Sequence, residues 1–312
     1  MRQIFIIAGK EFREAWENNI FLIMAGLFLV FSLASVYIGS STKHAEIQAY
    51  LDTVALLKAN GASVFPPRPE IFTLTILQNN VSYVSVLGAL MTVFLGYDVL
   101  TKEKEHGNLR LILSRPVFRD QLVSGKILSG AAVIGVLQGL ALVSGLVLLM
   151  IVGGVTPSGE EMLRLAAFSG VSFLYLLFFY LLAMLGSVSL KSAEAVFLAG
   201  ITFWIAVSFV IPQLAATQKA YSYSTNVAAQ TVTQTPQDTA ISKTIEMSSP
   251  TVHFENIGNN LLQAVPATAK VSPAALLSQL SVDFVYLLVP LLVVLPLIYR
   301  SIYRLEVSDN AN

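Results

Sequence analysis

The sequence predicts an all-α membrane protein. It has six transmembrane helices, an amphipathic N-terminal helix at the membrane surface, a short helix in one charged loop, and further helices on the opposite face before the last span. Three observations carry this. The 312-residue chain is 55% hydrophobic and 12% charged. Ordinary soluble chains carry about 25% charged residues, so this one cannot solvate a globular surface. Six apolar runs reach the length of about 20 residues that a helix needs to cross a bilayer. The basic residues are also unevenly shared between the loops. With 19 basic against 19 acidic residues there is no net charge, and no basic footprint for a nucleic acid. The chain has no cysteine, which excludes disulfides and thiolate metal sites.

Residues 1–19, MRQIFIIAGKEFREAWENN, mix Ile4, Ile7, Phe12 and Trp16 with Lys10, Glu11, Arg13, Glu14 and Glu17. Such a helix lies in the headgroup layer of a lipid bilayer, with Trp16 at the interface. The spans are placed at residues 20–39, 81–99, 127–152, 165–190, 195–216 and 273–299. The first exceeds the roughly 7–15-residue apolar core of a cleaved leader, and no small-residue cleavage site follows it. In residues 40–80, AEIQAYLDTVALLKANGA reads as a short amphipathic helix stopped by Gly61, and FPPRPE forces an extended turn. In the third span Ala131, Gly135 and Gly139 share one helix face, a stripe that lets backbones approach, within one protomer or between two. Residues 217–272 are rich in Thr, Ser, Gln and Asn, and SPTVHFENIGNNLLQAVP reads as a turn followed by an amphipathic helix. The whole segment is expected to be a lid of helices on the outer face.

Orientation follows from charge. With the N-terminus cytoplasmic, twelve basic residues fall inside and seven outside, the bias that positive charge imposes on membrane topology. Both termini are then expected in the cytoplasm of a multi-pass protein of the cell membrane.

Reactive constellations are scarce. His44, His106 and His253 all fall in expected loops. Neither H-E-x-x-H nor G-x-S-x-G occurs. A membrane enzyme, such as an intramembrane protease or a lipid transferase, would need a cluster that the sequence does not offer. Accordingly no catalytic residue and no metal ligand is assigned. Asp98 and Asp283 lie near span ends, where interfacial solvation suffices. Gln138, midway along the third span, is the most central polar amide. It is the candidate for a polar contact on a translocation path, or for a helix-to-helix hydrogen bond. Gly9-Lys10 and Gly125-Lys126 both lack the G-x-x-x-x-G-K-[ST] frame of a phosphate loop. Energy for driven work must therefore come from another chain, and no cofactor is expected on this one.

Residues 101–126 hold the densest run of charge, EKEHGNLRLILSRPVFRDQLVSGK, between two apolar spans. Ser114 or Arg115 is placed to cap a short helix, and Pro116 suits its first position. Val117 and Phe118 then sit beside Arg115 and Arg119, a mixture suited to a socket on a partner. At these residues the chain resembles permease subunits of the ABC-2 class of ABC transporters. The resemblance rests on Glu103 and Glu105 at a span end, Gly107, the run Leu109 to Leu113, Pro116, Arg119, and Gly125-Lys126 opening the next span. Asn108 stands where a Thr is usual. The likeness covers nearly the whole chain and is strongest to the nitrous-oxide-reductase maturation permease group.

The resemblance implies a type V ABC exporter-like half-transporter. Two permeases pair, as a homo- or heterodimer, each on a cytoplasmic ABC ATPase that binds ATP and Mg. The helix after Pro116 acts as a coupling helix, with Glu103, Glu105, Arg115, Pro116, Val117, Phe118 and Arg119 toward the ATPase. The first and fifth spans meet at the subunit interface through Phe21, Phe28, Phe31, Phe203 and Trp204. A mechanical transmitter acting on an extracytoplasmic accessory protein is the alternative to transport of a solute.

Overall fold

Asn18 divides the first two helices. α1 (Arg2–Glu17) ends there, and α2 (Asn19–Ala59) begins with the Asn18 Oδ1 accepting from the N–H groups of Ile20 and Phe21 at 3.0 and 3.3 Å. The structure, a computed structural model, describes residues 2–70, 72–105, 119–190, 192–226 and 231–309. α1 leaves Phe5 and Ile6 exposed and buries Ala8.

α2 does not stop at Gly39, as the sequence suggested, but runs for 41 residues without a break. Gly39 serves close approach. A Cβ there would lie 1.9 Å from the carbonyl oxygen of Ile76. The next helix breaker is Asn60-Gly61, and Gly61 takes a positive φ of 72°, the left-handed geometry that suits glycine at a helix end. At 1.5 Å per residue α2 is about 60 Å long, against about 30 Å of hydrocarbon. Its last twenty residues therefore project beyond the bundle, largely exposed.

The second span, Thr73–Thr101, is a composite. A 3₁₀ turn (Thr73–Leu77) leads into α3 (Asn79–Tyr83), a π-helical turn (Val84–Gly88) and α4 (Ala89–Glu105). α5 (Arg119–Ile151) forms the third span and α6 (Gly159–Ser189) the fourth. A capping box opens α6, with Ser158 Oγ accepting from Glu161 N and Glu161 Oε2 accepting from Ser158 N. The fifth span, Ala193–Thr217, joins α7 (Ala193–Ile205), a second π-helical turn (Ala206–Val210) and α8 (Ile211–Thr217).

After the fifth span comes a departure from the expected all-helical lid. β1 (Ala220–Asn226) and β2 (Thr231–Gln237) form an antiparallel hairpin with Tyr223 opposite Gln234. Alternating Tyr, Ser and Thr favour a strand over a helix. α9 (Ala240–Glu246), α10 (Pro250–Leu261) and α11 (Pro273–Gln279) follow. The last span is α12 (Ser281–Asp309), with Pro290 and Pro296 inside it. Pro273, expected to open that span, starts the separate short helix α11 instead.

The six apolar helices are not equivalent. The apolar windows of the fourth and second spans are 67% and 61% buried, and those of the other four between 22% and 33%. α6 and α4 are thus the core, and the other four present broad apolar faces outward, as a multi-pass membrane protein does. The Tyr180 ring of α6 fills the space that Gly130 leaves, and Gly96 lets α4 approach the α6 backbone. A Cβ on Gly96 would lie 2.3 Å from the Tyr180 carbonyl oxygen, and one on Gly130 would lie 2.1 Å from its ring. Small residues opposite a large one are how membrane helices gain packing where water supplies no driving force.

Candidate functional site

Gly125 and Lys126, which open the third span, hold the N-terminal helix. A Cβ on Gly125 would lie 2.7 Å from Ile7 Cγ2, so α1 rests directly on the α5 backbone. One residue on, the Lys126 ammonium donates to Glu11 Oε1 at 2.8 Å and to the Val99 carbonyl at 2.6 Å. The Lys126 side chain is 1% exposed and that of Glu11 16%. The hydroxyl of Tyr180 donates to the Lys126 carbonyl at 2.7 Å. One Gly-Lys pair therefore fastens α1, α4, α5 and α6 at the end of the bundle that carries both chain termini. Asn18 adds a bond from Nδ2 to Asp98 Oδ2 at 3.0 Å, so Asp98 is held by protein and not only by interfacial solvent. A cavity of about 400 Å³ opens beneath α1, with Lys10, Glu14 and Asp98 in its wall and Phe21 and Phe94 at its apolar side.

The charged loop joins the two elements that Lys126 clamps. Glu103 and Glu105 fall in the last turn of α4, and Arg119 opens α5. Arg115, Pro116, Val117 and Phe118, with the expected coupling helix, lie outside the described residues.

The expected interface aromatics divide. Phe21 and Phe28 are each 1% exposed and fill the protomer's own core. They belong to the buried stripe Phe21, Ala25, Phe28, Ser32, Ser35 and Gly39, whereas Ile20, Ile23, Leu27 and Val30 face outward. Trp204 is also buried, edge-on to Phe209. These three cannot form an outer surface, because helical periodicity turns them inward. Phe203 packs against Phe178 and Phe179 and is partly covered. Phe31, beside Tyr83, keeps an exposed edge. Ala131, Gly135 and Gly139 stay at the protomer surface, with no atom within 4 Å of a Cβ placed on Gly139. Gln138 is 6% exposed and faces a cavity of about 30 Å³ inside the protomer. That space is too small for a cargo, and among the described residues the expected helix-to-helix hydrogen bond is not formed.

The opposite end is tied down mostly by groups the sequence did not single out; His253, expected in a loop, sits in α10, and Asp283 is held by it and not only by interfacial solvent. Arg164, 2% exposed, donates to the carbonyls of Asn260 (3.0 Å), Thr268 (3.2 Å), Ala269 (3.1 Å) and Val271. It thereby closes the end of α10 and the loop to α11. The two π-helical turns converge on α10. Tyr175 Oη reaches the Ser85 carbonyl and Thr251 Oγ1, each at 3.0 Å, and Ser208 Oγ lies 3.1 Å from the same Thr251 hydroxyl. Ser85 Oγ donates to Glu255 Oε1 at 2.8 Å. Burial raises the Glu255 carboxyl above the usual range, and this bond pulls it partly back. His253 Nδ1 lies 2.7 Å from Asp283 Oδ1, and its ring stacks on Tyr286. The amphipathic run SPTVHFENIGNNLL was a legible cue to this layer, as it forms α10.

These arrangements clamp and brace. Among the described residues no three His, Asp or Glu side chains gather as metal ligands. The family model described as ABC-2 family transporter protein matches residues 5–309. The probable ABC transporter permease protein NosY of Stutzerimonas stutzeri is 25% identical over 223 residues, which span 69% of this chain and 71% of that protein. A match across nearly the whole chain, on a bundle of six apolar helices, places the protein in the ABC-2 transporter family, as a transmembrane subunit of an ABC transporter.

Proposed function

We propose that the chain is the permease half of an ATP-driven exporter with type V-like organisation, paired with a second permease and docked on a separate cytoplasmic ABC ATPase. ATP and Mg bind to that partner, and both termini lie in the cytoplasm. The observation that carries this reading is the Lys126 clamp. The charged loop leaves α4 at Glu105, six residues after the Val99 that Lys126 holds, and enters α5 at Arg119, seven residues before Lys126. A push on the loop is thus handed to α1, α4 and α5, and through Tyr180 to the core helix α6. Such rigid-body displacement is how a nucleotide state is converted into movement of spans. An apolar groove of about 470 Å³ between α6, α7 and α12, lined by Leu182, Leu185, Phe203 and Leu297, supports a hydrophobic or amphipathic cargo.

The test is a pull-down of the cognate ATPase with Phe118→Ala and Arg119→Glu at matched expression. Removing an aromatic anchor costs about 2 kcal/mol, roughly a thirtyfold loss of affinity. Arg119→Glu should weaken association in a more salt-dependent way. Wild-type binding and wild-type coupled turnover in both would overturn the reading. The orientation is checked on intact cells with an impermeant thiol reagent. Cysteines at Ser41 and Thr235 should label, and one at Asn108 should not.

A second reading is favoured by the braced outer layer. Arg164 and the two π-helical turns lock α10 to the spans, so their movement could be passed to an extracytoplasmic accessory protein. Co-purification of a defined outer partner with the complex supports this reading. Cargo-stimulated ATP hydrolysis supports transport.

A further inference from the structure

The cavity of about 400 Å³ beneath α1 opens between that helix and the adjoining ends of α2, α4, α5 and α6. Its volume falls in the range of sites that take small molecules, about 300–1,000 Å³. The wall is mixed. Four carboxylates and two ammoniums line it, and Phe21 and Phe94 form an apolar side. The charges sit at two depths. Lys126, 1% exposed, pairs with Glu11 at 2.8 Å, whereas Lys10 and Glu14 pair at 3.1 Å with side chains 63% and 49% exposed. Asp98, partly buried, accepts from the Asn18 amide at 3.0 Å on one of its two oxygens. Arg13 meets Glu17 at 2.8 Å from outside the lining, and even with it counted the balance of the wall stays negative. Among the described residues no three His, Asp or Glu side chains gather as metal ligands, so this excess suits an organic cation and not a metal ion. The surroundings are lipid. α1 leaves Phe5 and Ile6 exposed beside spans that are long and apolar enough to cross hydrocarbon, the setting of a helix in the headgroup layer.

We propose that the cavity binds the headgroup of a phospholipid with a primary ammonium, the phosphatidylethanolamine class, taken from the leaflet in which α1 lies. The match runs charge by charge. An ammonium has three N–H groups to donate, and Asp98 and Glu14 offer carboxylate oxygens. Charge-assisted bonds of this kind are the strong ones. The phosphate lies toward the exposed Lys10 ammonium, and the first carbons of the chains lie against Phe21 and Phe94. A choline head has no N–H to give, and a glycerol head brings no cation to a wall with an excess of carboxylate. Bound there, the lipid fills the space between α1 and the spans, and steadies the N-terminal helix beside the Lys126 clamp.

The test is thermal unfolding of the purified full chain in detergent, with one lipid added back at a time. Dioleoyl phosphatidylethanolamine at a hundredfold excess over its dissociation constant should raise the melting temperature by about 5 °C. Dioleoyl phosphatidylcholine and dioleoyl phosphatidylglycerol at the same concentration should raise it less than half as far. Free phosphoethanolamine, which has the head without the chains, should leave it unchanged. Asp98→Asn should erase the advantage of the ethanolamine lipid over the choline lipid. Should that variant fail to fold, Glu14→Gln at the exposed edge should reduce the same advantage. Equal stabilisation by the ethanolamine and choline lipids would overturn the proposal, as would a larger effect of the glycerol lipid or no effect of any lipid. An effect of phosphoethanolamine as large as that of the lipid would also overturn it, because the ligand would then be a soluble amine.

Discussion

Lys126→Met removes the ammonium that fastens α5 to α1 and α4 and leaves the Tyr180 bond to the backbone carbonyl in place. The side chain it replaces is 1% exposed, and the carboxylate it abandons is 16% exposed. Breaking a buried pair from one side costs about 3–5 kcal/mol, because the remaining charge stays desolvated. Glu11 keeps some access to solvent, so the lower bound of about 3 kcal/mol applies. At roughly 2 °C per kcal/mol for a chain of this length, the melting temperature should fall by about 6 °C. Lys126→Met combined with Glu11→Gln should recover part of the loss, since a partly buried carboxylate no longer faces the missing ammonium. The assay is thermal unfolding of the purified protein in one detergent, wild type beside both variants. A second readout reports the position of α1. Ala8 is buried, and in this cysteine-free chain an Ala8→Cys thiol should react faster once Lys126 is replaced. Wild-type melting and wild-type thiol reactivity in Lys126→Met would refute the reasoning that this pair holds the N-terminal helix.

Gly39→Ala should lower the melting temperature by about 2–6 °C, the range for roughly 1–3 kcal/mol of overpacking. Its Cβ would lie 1.9 Å from a backbone oxygen that cannot rotate away. Gly26→Ala, where nothing lies within 4 Å of the new Cβ, is the control and should melt like wild type. Glu255→Gln should alter the pH dependence of stability. The folded protein holds the Glu255 proton to higher pH than the unfolded chain does. Stability is therefore lost as pH rises from the ordinary glutamate value through the raised one, and is level above it. Glu255→Gln should remove that slope and melt higher at neutral pH, and parallel melting curves between about pH 4 and 8 would count against it.

The spans were legible because apolar length alone decides whether a helix can cross hydrocarbon. Their ends were less so. The apolar run of the first span ends at Gly39, yet the helix continues, and the use of Gly39 is set by Ile76, a partner distant in sequence. The aromatics of α2 could be recognised as interaction residues, but Phe21 and Phe28 face inward and Ile23 and Val30 outward. A helix apolar all round carries no periodic signal to tell the sides apart. The Gly-Lys pair was noticed as part of a motif, while its physical role required Glu11, far away in the chain. The π-helical turns left no trace in the sequence, since each is one extra residue accommodated by contacts with α10.

The length of α2 has a mechanical consequence. A rod of about 60 Å with no break in its hydrogen bonding acts as a lever. A tilt of about 10° at its membrane end would carry the tip sideways by about 10 Å, from that length alone. Two helices joined by a hinge at Gly39 would have absorbed such a tilt in the joint. With glycine serving contact instead of bending, the stalk at Ala59 reports on the angle of the first span, magnified, on the far side of the membrane.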